Sequence, residues 1–159
     1  MLQLDSPHWS DLLQAHGTAE DIPRLIEALA AIDGETERSE LWFGVWSTLC
    51  PGDSVYSAAF AAAPHLLAIG ANRGGQDLVA ALHVIAQIET LRHLTGAPSI
   101  PDDLVLAYAT AVESMPGLVA SSVNVPWDTL TAQILAGALL AGKRQPALAR
   151  AILSLGDAG

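Results

Sequence analysis

The chain has one cysteine, Cys50, and only seven lysines and arginines against seventeen aspartates and glutamates in 159 residues. A lone thiol excludes an internal disulfide and suits a reducing compartment, so a cytoplasmic location is expected. The scarcity of cations, with a formal charge of −10, argues against a nucleic-acid partner, because phosphate binding needs clustered Lys and Arg. Long apolar runs are also missing. The longest are interrupted by Pro64 and His65, by His83 and Gln87, or by Gly142 and Lys143, and none reaches the roughly 18 residues that a membrane span needs. Met1 to Asp11 has neither a basic start nor an apolar run, so no signal peptide is expected. Sustained strand-like alternation is absent. So are a G-x-S-x-G elbow, an H-E-x-x-H metal motif and a phosphate-cradling loop, since Asn72-Arg73-Gly74-Gly75 lacks the lysine and the strand context of a P-loop.

What remains is half apolar, poor in aromatics and rich in alanine and leucine, a composition that favours packed helices. The expected organisation is a single α-helical domain over residues 1–159, long enough to bury roughly two-thirds of its unfolded surface.

The stretch from Leu41 to Gly70 organises the rest. Trp42, Val45, Trp46 and Leu49 fall at i, i+3, i+4 and i+7, which lines four large apolar groups along one side of a helix. Pro51 and Gly52 break that helix, and Asp53 or Ser54 is placed to cap the next. The second helix is apolar on two adjacent sides. Tyr56, Phe60, Ala63 and Leu67 form one row; Val55, Ala59, Ala62, Leu66 and Ile69 form the other. A helix between neighbours is therefore predicted, with a bend near Phe60 caused by Pro64.

The pattern carried by Trp46, Leu49 to Tyr56, Ala58, Ala61, Ala62 and Pro64 to Leu66 resembles a group of small bacterial proteins described as HEAT-like helical repeats. The similarity covers this hairpin and extends to the flanking helices as a pattern. It implies an α-solenoid and a protein-binding role, with no assigned reaction. Cys50 and Pro51 depart from the group, in which a histidine-glutamine pair is frequent at those places, so no role is carried over to them.

Taken in order, Ser6-Pro7 opens a short helix with Trp9, Leu12 and Leu13 on its apolar side, ending at Gly17. A second helix starts near Thr18 or Asp21 and directs Ile22, Leu25, Ile26, Leu29 and Ile32 inward. After the central hairpin and the turn Ala71 to Gly75, a long helix to about Leu94 has a polar strip of His83, Gln87 and Thr90. The next opens near Pro101 and stops at Pro116-Gly117, followed by an ambiguous segment, Leu118 to Val123. Trp127 to Ala141 forms a helix with Leu130, Ile134, Leu135 and Ala138 inward, and the last, from Gln145-Pro146, carries Leu148, Ile152 and Leu155. About eight helices in antiparallel pairs suit an all-α, HEAT-like α-solenoid; a globular α-bundle is the alternative.

No catalytic, cofactor or metal site is predicted. The five histidines lack paired spacing. Cys50 at a helix C-terminus reads as a small buried apolar group. Asp102 and Asp103 read as helix-start acids, and His65 as a partner for a carbonyl exposed by Pro64. One constellation is kept as a partner-binding surface: Trp42, Trp46, Asp53, Tyr56, His83 and Gln87, aromatics to anchor and polar groups to orient. The expected function is non-catalytic protein binding, in its narrowest form an acidic antidote, immunity or adaptor protein for a basic partner. Two alternatives stand beside it. One is an enzyme or small-molecule binder using His65, His83 and Asp53 in an inter-helix pocket. The other is a self-associating homo-oligomer joined through alanine-rich faces.

Overall fold

A computed structural model describes residues 1–156; the last three residues of the expected domain lie outside the described part. Among the described residues the fold is all-α, with seven α-helices. They are α1 (Ile22–Ala31), α2 (Glu35–Leu49), α3 (Ser57–Arg73), α4 (Gly75–Leu91), α5 (Val105–Ser121), α6 (Thr129–Gly142) and α7 (Pro146–Leu153). None is long and apolar enough to cross a membrane.

The N-terminus differs from the expected helix. Ser6 does act as a cap, accepting the His8 backbone N–H at 3.2 Å, but only a 3-10 turn, Pro7–Asp11, follows. The chain then folds into a two-residue antiparallel hairpin, β1 (Leu13–Gln14) with β2 (Gly17–Thr18). Trp9 and Leu12 are buried, as their apolar spacing indicates, while Leu13 is exposed. Asp21 occupies the cap position of α1 without capping it; its carboxylate accepts from Gln14 Nε2 at 3.3 Å.

The central corner is longer than predicted. Between Leu49 and Ser57 the backbone is pinned by the Tyr56 N–H donating to the Leu49 carbonyl at 3.2 Å, so Tyr56 is the residue before α3 rather than a member of it. Neither Asp53 nor Ser54 caps that helix. The pairing is also shifted: α2 packs on α1 and α4, and α3 packs most extensively on α4, then on α5 and α1. Buried alanines from Ala58 to Ala63 let these neighbours close onto α3. Phe60 meets the Tyr108 ring edge-on at 5.1 Å and 81°, a favoured aromatic geometry.

Two prolines lie inside helices without ending them. α3 runs through Pro64, and α5 runs through Pro116 and absorbs the segment Leu118 to Val123 as far as Ser121. Each proline removes one helical hydrogen bond, but Val119 beyond Pro116 is buried, so tertiary packing outweighs the local break. The loss of the first helix is why seven α-helices stand where about eight were expected. Asp102 and Asp103 sit in the turn ahead of α5, not inside it.

α6 is capped by Asp128, which accepts the Thr131 backbone N–H at 2.7 Å; that bond holds the Asp128 carboxyl below its ordinary range. Ile134, Leu135 and Ala138 are buried as expected, but Leu130 in the first turn is 60% exposed. In α7 only Ala149 is fully buried; Leu148, and Leu155 in the 3-10 turn after the helix, are 51% and 68% exposed. The inward row of this short helix is thus displaced from its largest side chains.

The turn from α6 to α7 has one feature of consequence. The Arg144 N–H donates to the Ala141 carbonyl at 3.0 Å and the Gln145 N–H to the Leu140 carbonyl at 2.9 Å, the two bonds of a Schellman motif. Its left-handed position, φ 61°, is filled by Arg144, the one non-glycine residue with positive φ among those described. A side chain there costs about 1 kcal/mol. Arg144→Gly is therefore expected to raise stability by about 1 kcal/mol in urea denaturation, and a loss of stability would show that the turn does not rest on backbone conformation.

One connected core runs from Trp9 to Ala149. α1, α3 and α5 pack in succession, as do α2, α4 and α6, and α7 closes against α6 and α4.

Candidate functional site

The polar strip on α4 forms because His83 and Gln87 are four residues apart, on the side opposite the row of Leu78, Leu82 and Ile85 that enters the core. Trp46, on α2, reaches this strip. Its indole Nε1–H donates to Gln87 Oε1 at 2.9 Å, satisfying a polar tip that burial would otherwise strand. The corner after α2 brings Gly52 and Asp53 to the same place. Together these groups line a cleft of about 630 Å³ whose far wall is Leu130, Gln133 and Ile134 of α6, with Arg150 and Leu153 of α7.

Four of the six expected residues, Trp46, Asp53, His83 and Gln87, therefore converge on one cleft. Trp42 does not join them. Four residues before Trp46 it lies one turn away, is buried, and donates its indole N–H to Asp77 Oδ1 at 2.8 Å. Asp77 also receives Arg38 Nε at 3.1 Å, so Trp42 belongs to an anchor between α2 and the start of α4. It lines a separate cleft of about 700 Å³ with Arg38, Arg73 and Asp77. Tyr56, half-buried at the entry to α3, is not part of the lining of either.

The sequence reading missed Arg150. It crosses the cleft mouth from α7 and donates to Asp53 Oδ1 at 2.9 Å, joining residues 97 apart in the chain. Both partners are substantially exposed, so the pair contributes little to stability. It leaves a cation and an anion at the rim, where an incoming group can replace either. Leu130, expected in the core, and Ile134 supply apolar wall, while Gln133 is oriented by donating to the Leu153 carbonyl at 2.8 Å.

A second polar cluster was also missed. Glu89 is on the core side of α4, 3% exposed, and accepts from Arg92 Nε at 2.6 Å, Arg92 Nη2 at 2.8 Å and the Tyr108 hydroxyl at 2.8 Å. His93 Nε2 lies 3.2 Å from Glu89 Oε1, the oxygen that also accepts from Arg92 Nη2. Burial, and then the negative charge and hydrogen bonding of Glu89, push the Tyr108 phenol well above its ordinary value. The hydrogen bond to Glu89 holds the Arg92 guanidinium in its charged form. The one available signal was local: a carboxylate on an apolar face with a cation three residues on and a histidine four residues on.

The remaining expected groups have structural positions. Cys50 is fully buried at the end of α2, and burial pushes its thiol up to about 12; it is protonated at neutral pH and no nucleophile. His65 bonds a backbone carbonyl, but that of Leu2, at 2.8 Å, not one freed by Pro64. Among the described residues no group of three His, Cys, Asp or Glu side chains is placed to hold a metal ion. Comparison with protein-family models, curated proteins and solved structures finds no match for this chain.

Proposed function

We propose that this chain is a non-catalytic interaction module, a short HEAT-like stack of helix pairs that grips a segment of another protein in the cleft between α2, α4, α6 and α7. The observation that carries the reading is the convergence there of Trp46 from α2, Asp53 from the corner after it, and His83 and Gln87 from α4. A half-buried indole beside apolar wall is the kind of anchor point that dominates protein interfaces, and the amides and the Asp53–Arg150 pair orient what enters. Successive packing of α1, α3 and α5 beside α2, α4 and α6 supports the stack.

Charge polarity supports a basic partner, the antidote or adaptor form of the reading. Residues 1–53 hold ten of the seventeen acidic residues and only two of the seven Lys and Arg, and all ten acids are exposed. Such a field speeds the approach of a basic protein and weakens with salt.

The test is capture of proteins from lysate by the wild type, by Trp46→Ala, and by a variant with Glu35, Glu37 and Glu40 changed to lysine. The expected result is stoichiometric recovery of one basic protein. Trp46→Ala should weaken its affinity by about 30-fold or more, and the lysine variant should slow association and remove its salt dependence. Capture that is indifferent to Trp46 rejects the cleft. A self-associating module would instead recover only itself and show a concentration-dependent mass in sedimentation.

A further inference from the structure

We propose that a second cleft, bounded by α4, α5 and the turn between α6 and α7, binds a small organic carboxylate bearing a short apolar chain. This site is distinct from the protein-binding cleft and does not depend on that reading. It encloses about 440 Å³ and combines apolar wall, from Ile100, Val105, Val112 and Pro146, with Arg92 and Arg144 in its lining. The volume is near the lower end for ligand sites, which suits a small molecule rather than a nucleotide or a peptide.

The cationic groups are held for such a ligand. Glu89 fixes Arg92 through Nε and Nη2, so Nη1 takes no part in that pair. The same buried carboxylate engages the Tyr108 hydroxyl and His93. Its charge is thereby met inside the protein, and the guanidinium is rigid at the cleft edge. Arg144 is held differently. Its Nη2 donates to Glu113 at 2.7 Å in a pair whose side chains are 81% and 58% exposed, and a surface pair of this kind yields readily to a better-placed anion. Planar guanidinium groups match a planar carboxylate through paired N–H donors.

A second observation singles out Arg144. It sits at the left-handed position of the α6 terminus, where glycine is the relaxed choice. That backbone position sets where the Arg144 side chain leaves the turn, beside the cleft that it lines.

The experiment is calorimetric titration of the full chain with 3-methylbutanoate, with its neutral amide and with inorganic phosphate, in the wild type, Arg144→Gly and Glu113→Gln. Saturable one-to-one binding of the carboxylate is expected, with the amide about tenfold weaker or worse. Arg144→Gly should reduce carboxylate affinity about tenfold while its melting temperature stays level or rises, and Glu113→Gln should tighten binding about threefold by releasing Arg144. The proposal is overturned if neither the wild type nor Glu113→Gln binds the carboxylate saturably. It is equally overturned if the amide binds as well, if Arg144→Gly binds undiminished, or if phosphate binds as tightly as the carboxylate.

Discussion

Glu89→Ala is expected to destabilise the protein by about 3 kcal/mol or more, the largest effect of any single polar substitution in the chain. The carboxylate is buried and receives four groups: two donors of Arg92, the Tyr108 hydroxyl and His93. Removing it strands the Tyr108 hydroxyl, which is itself in the core beside Phe60. It also leaves Arg92, only partly exposed and stacked 5.9 Å from the Tyr108 ring, without its counter-charge. A buried donor without an acceptor and a half-buried cation without an anion are the two costs that make breaking such a pair worse than never having had it. Glu89→Gln keeps an acceptor for Tyr108 and should cost less. Urea denaturation measures both through the midpoint shift at constant slope. A Glu89→Ala value within about 1 kcal/mol of wild type would place the network among surface ion pairs.

The same network sets an alkaline limit. Burial and the adjacent Glu89 raise the Tyr108 phenol well above its ordinary 10.0. The folded chain therefore keeps a proton that the unfolded chain releases once the pH passes about 10. Stability from this group is intact below that pH and is lost as the pH climbs above it. In the Tyr108→Phe background that part of the alkaline loss should vanish, while Glu89 Oε2 loses one of its two donors and keeps Arg92 Nε.

How much of this was legible depended on distance along the chain. The apolar rows of α2, α3 and α4 could be read because each helix repeats its pattern over four or more turns. Pro7–Asp11 could not, because one turn of apolar spacing fits a 3-10 turn leading into a hairpin as well as an α-helix. Pro116 misled in the opposite direction: local chemistry stops a helix there, but burial of Val119 across the break holds it together. Within the cleft, Trp46, Asp53, His83 and Gln87 come from α2, the corner that follows it and α4, so a corner and a polar strip sufficed to group them. Trp42 was grouped with Trp46 by helical spacing and side-chain type, although Asp77 claims its indole. Arg150 was beyond reach, since nothing local to α7 indicates a partner 97 residues earlier.

Gly70→Val is expected to cost about 3 kcal/mol, because α3 and α4 approach each other there without room for a side chain. A Cβ on Gly70 would lie 2.5 Å from the Ala81 Cβ, 2.9 Å from the Asp77 carbonyl oxygen and 3.2 Å from the Leu78 Cα. Two of these three neighbours are backbone, so no rotamer change relieves the clash and the helices must separate. Gly70→Ala makes the same contact with fewer atoms and recovers up to about 1 kcal/mol of helix propensity, so its loss should be smaller but of the same sign. This graded pair separates two explanations of the glycine. If Gly70 serves only as a flexible point, alanine should stabilise α3; if it serves close packing, both substitutions should destabilise, valine more. The effect should also reach the sites. α4 carries Asp77 at this contact, His83 and Gln87 at the cleft lined by Trp46, and Glu89 at the cleft lined by Arg92 and Arg144. A displaced α4 therefore moves Asp77 away from the Trp42 indole and Gln87 away from the Trp46 indole, which tryptophan fluorescence of the folded variant would register as a shift relative to wild type. An unchanged spectrum with an unchanged midpoint would mean that the helices already have the room that these distances deny.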